Sequence, residues 1–142
     1  MTARFLLDAN IVSEPIRPAP NAQLVARLDA ATGELALPSL VWNELKFGVA
    51  RMPASRRRDY LERYLSTVVE PAMQVLPYDK AAAEWHARER ARLEKRGKPP
   101  SFVDGQIAAI AVTQSLVLVT RNVRDFDRFE DLELENWFEA DP

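Results

Sequence analysis

Four acidic residues occupy positions at which side chains from distant parts of this chain could meet: Asp8, Glu44, Asp104 and Asp125. Asp8 directly follows the apolar run Phe5-Leu6-Leu7, and Asp125 follows Leu116 to Val119 after the polar turn Thr120 to Arg124. Asp104 precedes Ile107 by three residues and Ala108 by four, which puts it on the helix stripe that faces a core. Glu44 borders the apolar face made by Val41 and Leu45. Carboxylates converging at one sheet edge repel and raise one another's pKa unless a cation neutralises them. A divalent ion meets that need, and ligation through oxygen alone points to the hard ions Mg2+ or Mn2+. Such a site, with water positions left open, suits hydroxide generation and in-line phosphoryl displacement.

The residues the chain lacks narrow the chemistry further. There is no cysteine, and His86 is the only histidine. Disulfides, thiolate zinc sites, iron–sulfur clusters and a cysteine nucleophile are therefore excluded, and a Ser-His-Asp triad would rest on one imidazole.

Each acid also has a purely structural use. Asp8 suits the cap of the turn after its strand, and Glu44 suits a solvated helix surface. Ser101-Phe102-Val103-Asp104 has the spacing of a capping box, in which the acid reaches back to the cap's backbone N–H. Asp125 suits the cap of a short helix over Phe126 and Phe129, with Asp127 a competitor two residues on. Capping and ligation are compatible, and the joint placement of the acids weakens a purely structural account.

The elements that must position them follow from periodicity. Arg4 to Leu7, Leu35 to Leu37, Gln74 to Leu76, Leu116 to Val119 and the neighbourhood of Leu132 to Glu135 read as short strands. Pro15, Pro18 and Pro20 mark a loop after the first of them, before a helix capped by Asn21 with Leu24, Val25 and Leu28 inward. Pro38-Ser39 opens a helix with Val41, Trp42, Leu45 and Val49 on one side. Tyr60, Leu61, Tyr64, Leu65 and Val68 form an amphipathic stripe. Asp79 to Arg96 reads as a helix ended by Gly97, and Pro99-Pro100-Ser101 starts another that runs to Ser115. Short apolar strands alternating with helices predict an α/β fold with a parallel sheet covered on both faces, whose functional crevice lies outside the carboxyl ends of the strands.

At 142 residues, with 47% hydrophobic and 28% charged side chains, the chain is expected to form one folded domain over residues 1–142. The longest apolar run, Ile107 to Val112, falls far short of the roughly 20 residues a bilayer span needs, and Asp8 interrupts the apolar N-terminus. The expectation is a soluble cytoplasmic protein with no membrane partner. Charge is uneven: Asp125 to Asp141 holds eight acids against the single base Arg128, leaving 18 basic and 13 acidic residues before it. Arg56 to Arg58 and the series Arg88, Arg90, Arg92, Lys95, Arg96, Lys98 suit either a nucleic-acid footprint or solvated helix faces. Glu84 with Arg88, and Glu94 with Lys98, have the spacing of pairs along a helix.

Four segments in order resemble PIN-domain proteins, and among these the VapC toxins of bacterial toxin–antitoxin pairs. They are Leu6-Leu7-Asp8-Ala9-Asn10-Ile11-Val12-Ser13-Glu14, Trp42-Asn43-Glu44-Leu45, Asp104-Gly105-Gln106-Ile107-Ala108-Ala109 and Val119-Thr120-Arg121-Asn122-Val123-Arg124-Asp125-Phe126. The resemblance implies a three-layer α/β/α sandwich with a central, mainly parallel sheet and a Mg2+- or Mn2+-dependent endoribonuclease activity. It implies an acidic site of Asp8, Glu44, Asp104 and Asp125, with Asn10 supporting Asp8, and Thr120 and Asn122 orienting a ligand, water or phosphate. Partners so implied are an RNA substrate, a VapB-like antitoxin through which DNA is reached indirectly, and a second copy of the chain in a homodimer. The chain departs from the usual pattern at Ala9, where Thr or Ser is common, and at Asn43, where Gly is common; both leave the carboxylates in place.

Other readings compete less well. A haloacid-dehalogenase phosphotransferase wants its general acid two residues after the first Asp, where this chain has Asn10, and a response-regulator receiver wants extra acids that Arg4 to Leu7 does not supply. The alternative from another class is a non-catalytic PIN module acting as a regulatory partner in an antitoxin–DNA complex.

Overall fold

Apolar runs too short for a helix become the strands of one sheet, and the Ala- and Leu-rich segments between them become its cover. The computed structural model of the chain describes residues 2–139. It opens with β1 (Phe5–Leu7), α1 (Ala9–Ser13), a 3-10 turn over Glu14–Ile16, α2 (Ala22–Ala30), β2 (Leu35–Pro38) and α3 (Ser39–Ala50). Next come α4 (Arg56–Tyr64), a π turn over Leu65–Val69, α5 (Glu70–Ala72), β3 (Gln74–Leu76), α6 (Lys80–Lys95) and α7 (Phe102–Thr113). β4 (Val117–Val119), a 3-10 turn over Val123–Asp125 and β5 (Leu134–Glu135) complete it.

The five strands form one parallel sheet in the order β3-β2-β1-β4-β5. Phe5, Leu6 and Leu7 pair with Val117, Leu118 and Val119, so residues far apart in sequence leave the sheet side by side at Asp8 and Thr120. The chain winds one way from β1 to β3 and then crosses back to β4, which makes the β1–β4 edge a topological switch point where crevices form. Every residue of β1, β2 and β4 is buried. Successive strand residues point to opposite faces, so both faces are covered, as an α/β/α sandwich requires.

Several boundaries differ from the expectation. Arg4 lies outside β1: its N–H donates to the Glu34 carbonyl and its own carbonyl accepts from Val117. A helix, not a loop, begins directly after Asp8. The Tyr60–Val68 stripe is interrupted by the π turn, whose extra residue shifts the buried position from Val68, 51% exposed, to Val69. Gly97 ends α6 as expected: at a φ of 71° it lets Lys98 N–H reach the Leu93 carbonyl and its own N–H reach that of Glu94. α7 ends at Thr113, with Gln114 as its C-cap.

α6 and α7 approach closely where glycine allows it. The His86 ring of α6 sits against Gly105 of α7 and donates to or accepts from Tyr78 Oη through Nδ1 at 2.8 Å. Burial, and then the charge of Arg90, holds the imidazole below its ordinary pKa, which favours its neutral form. A Cβ at position 105 would overlap the ring Nε2. Gly105→Ala is therefore expected to cost about 1–3 kcal/mol by overpacking. In a His86→Ala background the same change should cost little, a difference that urea unfolding of the four proteins measures directly.

Candidate active site

Asp8 stands at the carboxyl end of β1 because its backbone N–H continues the sheet, donating to the Val119 carbonyl at 3.0 Å. Its side chain caps α1, with Oδ1 accepting from Ala9 N–H at 2.9 Å. Oδ2 accepts from the buried Thr120 hydroxyl at 2.8 Å, and that hydroxyl in turn accepts from Asn122 N–H at 3.0 Å. Capping and site geometry thus coexist in one carboxylate. Each oxygen has one protein donor and keeps lone-pair capacity for a ligand.

Asp104 enters the same crevice from the first turn of α7. Ser101 caps that helix, its Oγ accepting from Asp104 N–H at 3.2 Å, which is one half of the expected capping box. Burial and then the negative charges of Asp125 and Asp8 raise the Asp104 pKa, while Ser101 and Arg128 pull it down. The carboxylates that bear on Asp104 are thus those at the ends of β1 and β4. Asp125 does not cap a helix over Phe126 and Phe129; it closes a 3-10 turn, its N–H donating to the Asn122 carbonyl at 3.0 Å. Asp127 is exposed and is not among the charges that shift Asp104.

The model of the PIN domain family matches residues 5–132. The chain belongs to the PIN-domain family. It is 36% identical to Toxin FitB of Neisseria gonorrhoeae over 86% of this chain and 90% of that protein. It is 33% identical to the tRNA(fMet)-specific endonuclease VapC of Shigella flexneri over 94% of this chain and 98% of that protein. Among solved structures, FitAB bound to an IR36 DNA fragment superposes with a TM-score of 0.87 at 29% identity, covering 97% of this chain and 98% of that one. VapBC2 from Rickettsia felis, bound to a DNA fragment from its promoter, gives 0.80 at 25% identity, covering 96% and 99%.

Within this PIN domain the other predicted residues have distinct places. Thr120 orients Asp8 itself. Asn10 does not touch Asp8; its Oδ1 accepts from Arg121 N–H at 3.3 Å, tying α1 to the segment after β4. Asn122 serves through its backbone N–H. Glu44 is exposed on α3 and lines a groove with Ser13, and it is not among the charges that shift Asp104.

Two features escaped the sequence reading. Arg128 brings positive charge toward Asp104, and its signal was its isolation as the single base among eight acids. The buried Glu89 holds the Asp125 loop in place: Arg92 donates to both its oxygens at 2.7 and 2.8 Å, and Glu130 N–H donates to Oε1 at 2.8 Å. Arg92 also donates to the Arg128 carbonyl at 3.0 Å. The spacing of Glu89 and Arg92 on one helix face was readable, but their bond to a loop some 40 residues on was not.

The donor chemistry fits a hard divalent ion, since the crevice offers carboxylates and the lone histidine is committed to α6–α7 packing. Among the described residues no three His, Asp or Glu side chains stand close enough to share one ion. Mg2+ needs only one or two carboxylates and keeps several waters, so Asp8 with Asp104 or Asp125 meets its demand in kind. Ionised Asp104 costs stability at neutral pH, and this cost disappears as pH falls through its raised pKa. In EDTA at pH 7, Asp104→Asn is expected to raise Tm above that of the wild type. The gain should vanish below the ordinary aspartate range near about pH 3.9, where both states carry the proton; a lower Tm at pH 7 would mean that Asp104 is held favourably.

Proposed function

We propose that this PIN domain is an endoribonuclease, the toxin of a toxin–antitoxin pair, which hydrolyses RNA phosphodiester bonds with Mg2+ or Mn2+ held by Asp8 together with Asp104 or Asp125. The observation that carries the reading is the gathering of these carboxylates at the β1–β4 edge, where burial first and then the charges of Asp125 and Asp8 raise the Asp104 pKa. Similarity to proteins named as a toxin and as a tRNA-specific endonuclease supports catalysis over a non-catalytic binding role.

When bound, the ion supplies Lewis acidity that activates water and neutralises charge building on the phosphate. Thr120 fixes the Asp8 rotamer so that its oxygens stay directed at the crevice. The Glu89–Arg92 pair holds the loop that carries Arg128, and Arg128 brings positive charge toward the same crevice, where a phosphate requires it.

The partner is a small antitoxin, through which DNA is reached. An apolar groove of about 250 Å3 between α1, α3 and α4, walled by Leu45, Val49, Leu61, Tyr64 and Leu65, suits the apolar face of an antitoxin helix. A basic side chain from such a segment would pair with Asp8 or Asp104 and block the ion. Exposed Phe47 and Tyr60 on α3 and α4 supply further apolar surface for a second copy of the chain.

Purified protein is expected to cut RNA with Mn2+ and to stop in EDTA. Asp104→Asn should abolish cleavage while the fold survives. Thr120→Val should lower the rate about 10–100-fold through loss of the Asp8 contact, and Thr120→Ser should restore most of it. Full activity in Asp104→Asn would remove that carboxylate from the chemistry.

A further inference from the structure

Beside the acidic site lie two hollows of about 480 Å3 each, and Arg121 lines both. One runs from Asp125 past Arg124 and Asn122, and the other holds Arg17, Glu14 and Phe138. Each is large enough to take a nucleotide unit, since small-ligand sites begin near about 300 Å3. Arg121 is built into the rim where the two meet. Its backbone is tied to Asn10, and its guanidinium lies over the Phe138 ring, 4.5 Å from the centroid. Stacking occupies one face of the guanidinium and leaves its N–H edge free for a planar, two-oxygen acceptor.

The charges around it favour a phosphate. Arg121 is exposed and makes no ion pair among the described residues. Arg124 shares the first hollow and Arg17 the second. Within the second hollow Glu14 Oε2 accepts from Asn21 N–H at 2.8 Å and Oε1 lies 3.9 Å from Arg17, so Arg17 shares its charge with that carboxylate and Arg121 is the cation there that makes no ion pair among the described residues. Asp125 and Glu139 line the first hollow and repel an anion, which directs phosphate toward Arg121 and Arg124.

We propose that Arg121 is a substrate-positioning residue that binds a backbone phosphate of single-stranded RNA next to the linkage cut at the acidic site. This deepens, and rests on, the reading of the chain as an endoribonuclease. The strand passes from the Asp8–Asp104–Asp125 crevice into the hollows, and Arg121 sets its register. A phosphate contact of this kind contributes affinity and position without reading the base.

The test uses a synthetic single-stranded RNA oligonucleotide that the wild type cuts once, and a set of copies each carrying one neutral methylphosphonate linkage. Arg121→Gln is expected to raise KM about tenfold, the loss of one charge-assisted contact, with kcat changed less than about twofold. The slope of log affinity against log salt, read by fluorescence anisotropy in EDTA, should fall by about 0.7, the share of one phosphate on a single strand. One methylphosphonate beside the cut should weaken wild-type binding and leave Arg121→Gln indifferent, and Arg121→Lys should fall between. Equal sensitivity of both proteins at every linkage, or an unchanged KM and salt slope, would overturn the proposal. So would an Arg121→Gln protein that cleaves normally but no longer holds a co-purifying protein partner. A wild type that cuts no RNA with Mn2+ would overturn the endoribonuclease reading as well, whereas cleavage with an indifferent Arg121 overturns this inference alone.

Discussion

Like charges gathered at one sheet edge do not stay together unless the scaffold holds them, and that constraint organises this molecule. Asp8 comes from the end of β1, Asp125 from the turn after β4 and Asp104 from the first turn of α7, where burial and then the charges of the other two raise the Asp104 pKa. Burial of every residue in β1 and β4 supplies the rigid floor. The Thr120 hydroxyl fixes one carboxylate, and the Glu89–Arg92 pair clamps the loop that follows Asp125. Repulsion held in place this way is a stored preference for a cation, which no single carboxylate on a helix surface would possess.

The same arrangement explains how structural and functional uses share residues. Asp8 caps α1 while presenting oxygens to the crevice, and Ser101 caps α7 while lowering the pKa that burial raises on Asp104. Gly105 follows Asp104 because α6 must come close enough for His86 to pack there, and the hairpin of α6 and α7 sets where the Asp104 carboxylate lies. A change at His86 or Gly105 therefore reaches the site through packing rather than through chemistry.

Much of this is legible in the sequence. Short apolar runs alternating with helix-length periodic segments point to a parallel sheet covered on both faces, and the periodicity around Ile107 and Ala108 places Asp104 on the inner stripe. The order β3-β2-β1-β4-β5 was not legible, because which strands pair depends on contacts across more than a hundred residues. The π turn after Tyr64 was hidden for a related reason: one inserted residue is set by packing, including the Tyr64 hydroxyl bonded to the Val12 carbonyl at 2.6 Å, and leaves no compositional mark. Glu44 matches a motif and stands on the wall of the groove beside Ser13, a position that depends on how α3 packs against α1.

Asp8 together with Asp104 or Asp125 is expected to hold one cation at the β1–β4 edge, and anomalous diffraction from crystals soaked in Mn2+ decides whether it does. An anomalous peak is expected at the β1–β4 edge, bonded to an Asp8 oxygen and to at least one oxygen of Asp104 or Asp125, and lost in Asp8→Asn. A peak confined to other carboxylates, such as Glu14 or Glu139, with none at Asp8, would contradict it.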